Sequence, residues 1–481
     1  MEATAAGRYA PGPERPHPVT HNPLVRIGLD LRDEWRARGH FPPGPTSLSA
    51  SRTYGIVHDP LPILLDCYER YGAVFTTRLF HGKQVWMLGP EANQYVLVSH
   101  PENFVWRDGS FGDLIPLLGD GLLTIDGDYH DRARRIMMPA FHSEQINASH
   151  ATMAEEATAA MAGWRDGEVV DVYEWMRNLA MRIAMRALLG LDPDQAGRGA
   201  EAAHHFEVAL GFYGTDAPAR VLRGPGSAWR RMMRSRAVLD EIVFEEIERR
   251  RTHPDESRPD ILSLLVSARD EDGSRLTDVE IRDQLMTLMF AGHDTSTSTV
   301  SFQLFELARN PEARERLCAE LDDVLGGEAP DMATLHRELP YLEMVTDETL
   351  RLYPPAWIGP RRATRTFEFA GQEVPMGAYV NYCSWASHRL PHVFPDPGAF
   401  VPDRFTRERK TALPRGAYVP FGAGSRICIG KRFGQTEVKL VSAMVLQRFV
   451  FELEPDHEMV VRQMPTLGPK GGLPMRIRAR R

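Results

Sequence analysis

Cys428 sits in Phe421-Gly-Ala-Gly-Ser-Arg-Ile-Cys-Ile-Gly430, and apolar helix-forming sequence runs on from Phe433 to Phe451. A free cysteine titrates near ~8.5, so a thiolate at neutral pH needs help. Position supplies it: a cysteine just before a helix meets unpaired amide N–H groups and the positive end of the helix dipole. Gly422, Gly424 and Gly430 permit tight turns around the sulfur. Phe421 can cover it, and Arg426 offers a cation for a carboxylate. Such a sulfur could bind a metal, whereas most lone cysteines are simply small buried apolar residues.

Four other places carry residues of the right type at chemical spacing. Glu348 and Arg351 stand three apart and share a helix face; alone, such a pair is usually solvated surface. Ala291-Gly-His-Asp-Thr295 places a glycine, an acid and an alcohol inside a long helical pattern. Glycine is unfavourable there by ~1 kcal/mol, and threonine hydroxyls can bend a helix by bonding back to it. His130 and Arg134, four apart, would line one face of a short helix ending near Pro139. Arg361 and Arg362 follow where strands begin.

These groups need elements to hold them. Thr277-Asp-Val-Glu280 reads as a capping box, and the helix it starts continues to Arg309, where Asn310-Pro311 stops it. That is ~48 Å at 1.5 Å per residue. A hairpin is expected over 73–88 with its turn at His81-Gly82, and short strands over 361–382 with turns at Ala370-Gly371 and Met376-Gly377. Helical patterns dominate from about 126, with a break at Arg223-Gly-Pro-Gly226 and a polar loop over 253–260. Residues 383–427 are irregular and rich in proline and glycine, which in a compact domain points to function. A final helix is expected over 430–450, then a hairpin-like tail over 465–473. Residues 1–23 read as a loose tail without the apolar core of a signal peptide, and Val25 to His40 as a short amphipathic surface helix. Contact of that helix with a membrane is the lesser reading. We expect an N-terminal tail and helix over 1–40 and one catalytic domain over 41–481.

Bulk properties narrow the class. The 481 residues are 43% hydrophobic and 25% charged, an ordinary globular composition. The net charge of −8 argues against a nucleic-acid binder. Four cysteines without a C-x-x-C pair argue against zinc ribbons and thioredoxin-type redox, and suggest a reducing, cytoplasmic setting. No apolar run is long enough to span a bilayer.

The spacing F-x-x-G-x-R-x-C-x-G resembles the heme-ligand signature of the cytochrome P450 family at every signature position. The other four places occur in that family's order, and the resemblance extends over roughly residues 41–478. It implies a mainly α fold with a smaller β-rich region, a long central helix over heme b and the cysteine loop beneath it. Cys428 would be the iron ligand, and Phe421, Arg426 and Gly430 of its loop would bind the cofactor beside it. His130, Arg134 and Arg361 would meet the heme propionates, with Arg362 the rival for the last role. Arg404, from Pro402-Asp-Arg-Phe405, would join Glu348 and Arg351 in a structural triad pinning 383–427. Asp294 and Thr295 would deliver protons. The substrate pocket would be lined by Phe111, Leu114, Ile115, Phe290 and Ala291, then Ala356, Trp357, Ile358, Thr466 and Leu467.

The activity so implied is monooxygenation. One atom of O2 enters a C–H bond of a hydrophobic fatty acid, terpenoid or steroid, and the other leaves as water. With no Rossmann fingerprint in the chain, electrons from NAD(P)H would come through a separate ferredoxin, flavodoxin or reductase. Arg132, Arg135, Lys431 and Arg432 would bias that partner's docking, and a monomer is expected. Sequence around Met137–His142 and His293 looks closer to the fatty-acid and microsomal-like branch than to the camphor-type one. Rival readings are a peroxide-driven peroxygenase, a heme-thiolate isomerase or dehydratase, and a heme sensor or carrier. The acid–alcohol pair argues against each.

Overall fold

The computed structural model describes residues 16–37, 41–194, 197–215, 217–253 and 260–480. Residues 1–15 of the expected tail, 38–40 of the first helix and 254–259 of the polar loop lie outside that set. Helices dominate, and the strands form four small sheets among the described residues. No described helix is long and apolar enough to cross a membrane.

The organising element is the helix Asp278–Arg309, buried along most of its length. Its start is the expected capping box: Glu280 N–H donates to the Thr277 hydroxyl at 3.2 Å, and Thr277 N–H to the Glu280 carboxylate at 2.7 Å. Thr295, Thr297 and Thr299 each donate a hydroxyl hydrogen to the carbonyl four residues back, at 2.6–2.8 Å. The helix nonetheless runs unbroken through Gly292. It packs against Val172–Ala184 on one side and against Pro340–Leu352 and Lys431–Arg448 on others. One large apolar cluster gathers around these helices, and a second fills the space between its N-terminal half and the helix Ala228–Thr252.

The main sheet has five strands in the order Val74–Leu79, Gly82–Met87, Tyr379–Cys383, Ile358–Ala363, Phe104–Val105. All neighbours are antiparallel except Gly82–Met87 with Tyr379–Cys383. The hairpin turns at Phe80-His81, one residue before the expected place, with Phe80 at φ +51°. The final helix ends at Arg448, and Phe449–Leu453 is a strand paired with Pro474–Ala479. Period two explains the correction: Phe449 and Phe451 alternate with Val450 and Glu452, and both rings pack edge-on to Trp164.

The first helix is Pro23–Arg36, capped by the Asn22 side chain. It and the segment before it are fastened to the body rather than loose. Arg107 donates to the His17 carbonyl at 2.6 Å, and Arg362 bridges Asp30 and Asp33, both at 3.0 Å.

The irregular stretch 383–427 is fixed from Pro340–Leu352. Arg351 and Glu348 are fully buried and form a two-pronged pair at 2.7 and 2.8 Å. The remaining Arg351 hydrogens go to the carbonyls of His388, Pro397 and Ala399. Glu348 also accepts Val401 N–H at 2.8 Å and pairs with Arg404 at 3.4 Å. His388 then accepts Val419 N–H at 3.0 Å. Two charged side chains thus order a stretch that has little regular structure of its own.

Candidate active site

Below the long helix lies a cavity of about 930 Å³ that Cys428, the Ala291–Thr295 turn and the His130–Arg134 face all line. Cys428 is exposed and lines this cavity, and its loop reaches the protein surface at Gly424 and Ser425. Cys428 N–H donates to Phe421 O at 2.9 Å, closing the loop. Gly422 and Gly424 take φ of +68° and +67°. A Cβ on Gly424 would fall 2.1 Å from the Leu97 carbonyl oxygen, so only glycine lets the loop lie there. Gly430 caps the helix Lys431–Arg448, and its amide points at the sulfur. Burial pushes the thiol up; the Gly430 amide, Arg134 and Lys431 oppose that without overcoming it. A cation inside the cavity is what would complete the change to thiolate.

Arg134 and Lys431 lie near enough to act on the sulfur, and other basic side chains stand around the cavity. The helix Gly127–Met137 turns His130 and Arg134 into the cavity. Burial, then the nearby Arg426, bring His130 down to about 4, so its ring is neutral at pH 7; it meets Asp131 at 2.9 Å. Burial lowers Arg134, which makes no hydrogen bond or ion pair among the described residues. Arg426 lines the cavity but is already committed to Asp126 at 2.8 Å and to the Ile125 carbonyl at 2.8 Å. Its carboxylate partner therefore comes from the protein. Arg362 is tied to Asp30 and Asp33, whereas Arg361 is buried over the Trp106 ring at 3.6 Å. Arg361 donates to Pro360 O and has no carboxylate ion pair among the described residues; burial brings it down to about 10. It sits just behind the cavity wall rather than on it.

Facing the sulfur side are Leu288, Phe290, Ala291 and Thr295 of the long helix. Phe111, Leu114, Ala356, Trp357, Ile358 and Thr466 also line the cavity. Two expected members do not. Ile115 turns away where the chain enters the short helix Ile115–Leu118, and Leu467 is fully buried in the large apolar cluster. Asp294 lies off the lining too: the helix carries it round toward Val172–Ala184, where Arg177 and Tyr173 face it.

Several contributors had no local signal. Trp106 stacks between Arg361 and Arg426, and Asp126 accepts both the Trp106 and Arg107 amides besides Arg426. The cavity mouth is formed by residues 20–27 together with Arg223 and Trp229. Glu437 is buried beneath the long helix, accepts from the Ser296 hydroxyl at 2.5 Å and is pushed up to about 7 by burial.

The sequence model described as "Cytochrome P450" matches residues 42–473. Among curated relatives, "Cyclooctatin synthase" of Streptomyces melanosporofaciens is 37% identical over 75% of this chain and 79% of its own. "Cyclooctat-9-en-7-ol 5-monooxygenase" of the same organism is 35% identical over 86% and 93%. "Pentalenene oxygenase" of Streptomyces avermitilis is 33% identical over 76% and 81%. Among solved structures, a cyanobacterial CYP120A1 with retinoic acid bound superposes with TM-score 0.81 at 27% identity, covering 92% of this chain and 99% of that one. The heme domain of cytochrome P450DA gives 0.82 at 27% identity, covering 92% and 97%.

Proposed function

The chain belongs to the cytochrome P450 family, an oxygen-incorporating oxidoreductase that uses heme, O2 and a hydrophobic substrate, and from that premise we propose that it hydroxylates a terpenoid with electrons from a separate redox protein. The observation that carries the reading is one cavity with Cys428 on one wall and Ala291 and Thr295 on another.

The residues present fit heme. The Cys428 thiol opens into the cavity, Gly424 leaves the loop free to present it, and Arg134 waits without an anionic partner among the described residues. Arg134 and His130 would hold propionates, with Arg361 lending charge from behind Trp106. Heme bound through Cys428 supplies oxygen activation, which thiolate donation favours. The chain does the rest. The Gly430 amide steadies the sulfur, Thr295 and Asp294 handle protons, and the apolar walls exclude water and place the substrate.

Support for a terpenoid comes from the cavity's mostly apolar lining and from the names of the three relatives above. A separate electron donor fits the cysteine side, where Lys431 lies over the Phe421 ring at 5.6 Å and Arg432 bonds only to Ser143 among the described residues. Arg132 and Arg135 are paired with Glu280 and Asp270, which weakens their part in that docking. The test is a panel of terpenes, fatty acids and steroids screened by the spin-state shift of the ferric Soret band. Turnover with a surrogate reductase and O2 is then compared with turnover on hydrogen peroxide. A protein that stays colourless when supplied with hemin overturns the reading, and a shift confined to fatty acids overturns the terpenoid part.

A further inference from the structure

Behind the cavity, on the far side of the long helix, two buried polar atoms face each other with no hydrogen-bond partner. They are His293 Nδ1 and Asp294 Oδ1, 3.5 Å apart, in side chains that are 0% and 3% exposed. An unpartnered polar atom is costly when buried, and a proton on either of these two would give the other a hydrogen-bond partner. The other ring nitrogen, Nε2, donates to the Arg177 carbonyl at 3.1 Å and lies 3.2 Å from Glu207 Oε1. Glu207, on the helix Arg198–Gly211, is 36% exposed and is held by Arg177 at 2.5 Å. The Phe206 ring stands edge-on to the imidazole and closes that side. The other charged or titratable groups facing the pair are Arg177 and Tyr173 from Val172–Ala184; Arg462 donates to the Tyr173 hydroxyl at 2.6 Å. A line of titratable groups therefore runs from solvent to the acid beside Thr295: Glu207, His293, Asp294.

We propose that His293 and Asp294 hold one proton in common and that Glu207 is its solvent-side source, so that His293 reloads Asp294 during turnover. This rests on the oxygenase reading, because only there is proton supply to Asp294 consumed. In the step, the Nδ1–H bond breaks as the Oδ1–H bond forms, and the nitrogen keeps the electron pair. Glu207 passes on a proton taken from water, which reaches the vacated nitrogen when the ring turns. No electron changes hands. His293 acts through Asp294 and is a relay and positioning residue, not one that touches substrate.

Infrared spectroscopy of the ferric holoenzyme without substrate reads this directly. The band lost in Asp294→Asn identifies the Asp294 carboxyl, and its pH titration is followed in His293→Gln and Glu207→Gln. The expected result is a displaced titration in His293→Gln and slower hydrogen–deuterium exchange of the band in Glu207→Gln. With substrate, reductase and O2, His293→Gln should divert electrons to hydrogen peroxide roughly tenfold more than the parent, with a larger solvent isotope effect on product formation. An Asp294 band that titrates identically in parent and both variants, with unchanged coupling, overturns the relay. A parent enzyme that forms no oxygenated product overturns the oxygenase reading instead, whatever the infrared result.

Discussion

The floor and the roof of the cavity are built on opposite plans. Beneath Cys428, buried charges and backbone groups are joined: Arg351, Glu348, Arg404 and His388 fix residues 388–419 with bonds hidden from water. Over the mouth, residues 20–27, 110–116, 212–215 and 219–229 meet through scattered pairs, several of them reached by solvent. Arg26 pairs with Asp113, which is 65% exposed, and Leu24, Val221 and Leu222 lie 76%, 50% and 63% exposed. The lesson is a division of labour. The side that carries the sulfur is over-determined, and the side over which a hydrophobic substrate would enter is left loosely tied.

The sharpest break is at the sulfur itself. Cys428→Ala should abolish oxygenation and remove the thiolate signature from the carbon-monoxide difference spectrum of the ferrous protein; an unchanged spectrum would put the ligand elsewhere. Next comes the buried anchor. Glu348→Gln strips Arg351 of its partner, and a denaturant titration should show a loss of about 3–5 kcal/mol, with heme released early in the transition.

Acid should strike the floor before the roof. His388 must be neutral to accept Val419 N–H, and burial with the neighbouring Arg351 and Arg389 brings it down to about 3 from an ordinary 6.5. The unfolded chain binds the extra proton first, so this contribution is whole above pH 6.5 and is lost as pH falls toward about 3. The slope approaches about 1.4 kcal/mol per pH unit within that window. His388→Asn should flatten the pH dependence of the unfolding midpoint there. The smallest stability effect belongs to the roof. Asp113→Asn should cost under about 1 kcal/mol yet alter substrate release rates in stopped-flow dissociation. Equal costs at Glu348 and Asp113 would erase the contrast.

What could be read from the sequence follows the range of the interactions. The cysteine loop, the capping box at Thr277 and the Glu348–Arg351 pair are local patterns, and each took its expected form. Arg361 and Arg362 could not be separated until the first helix was seen to bring Asp30 and Asp33 to Arg362. Arg426 looked free because its partner, Asp126, is three hundred residues away. Ile115 and Leu467 sit next in sequence to true lining residues, and one step along an irregular chain reverses the side a residue faces. Asp294 was placed correctly in the helix, but a turn of 100° per residue carries it to the back.

That long tie between Arg426 and Asp126 has a consequence for biosynthesis. The compartment closes only when a segment near the C-terminal end meets one made early, so a nascent chain cannot seal it while most of its length is still emerging. Closure around the pigment therefore waits for a segment made some three hundred residues later, and the half-built shell must keep its greasy interior from neighbouring chains until then.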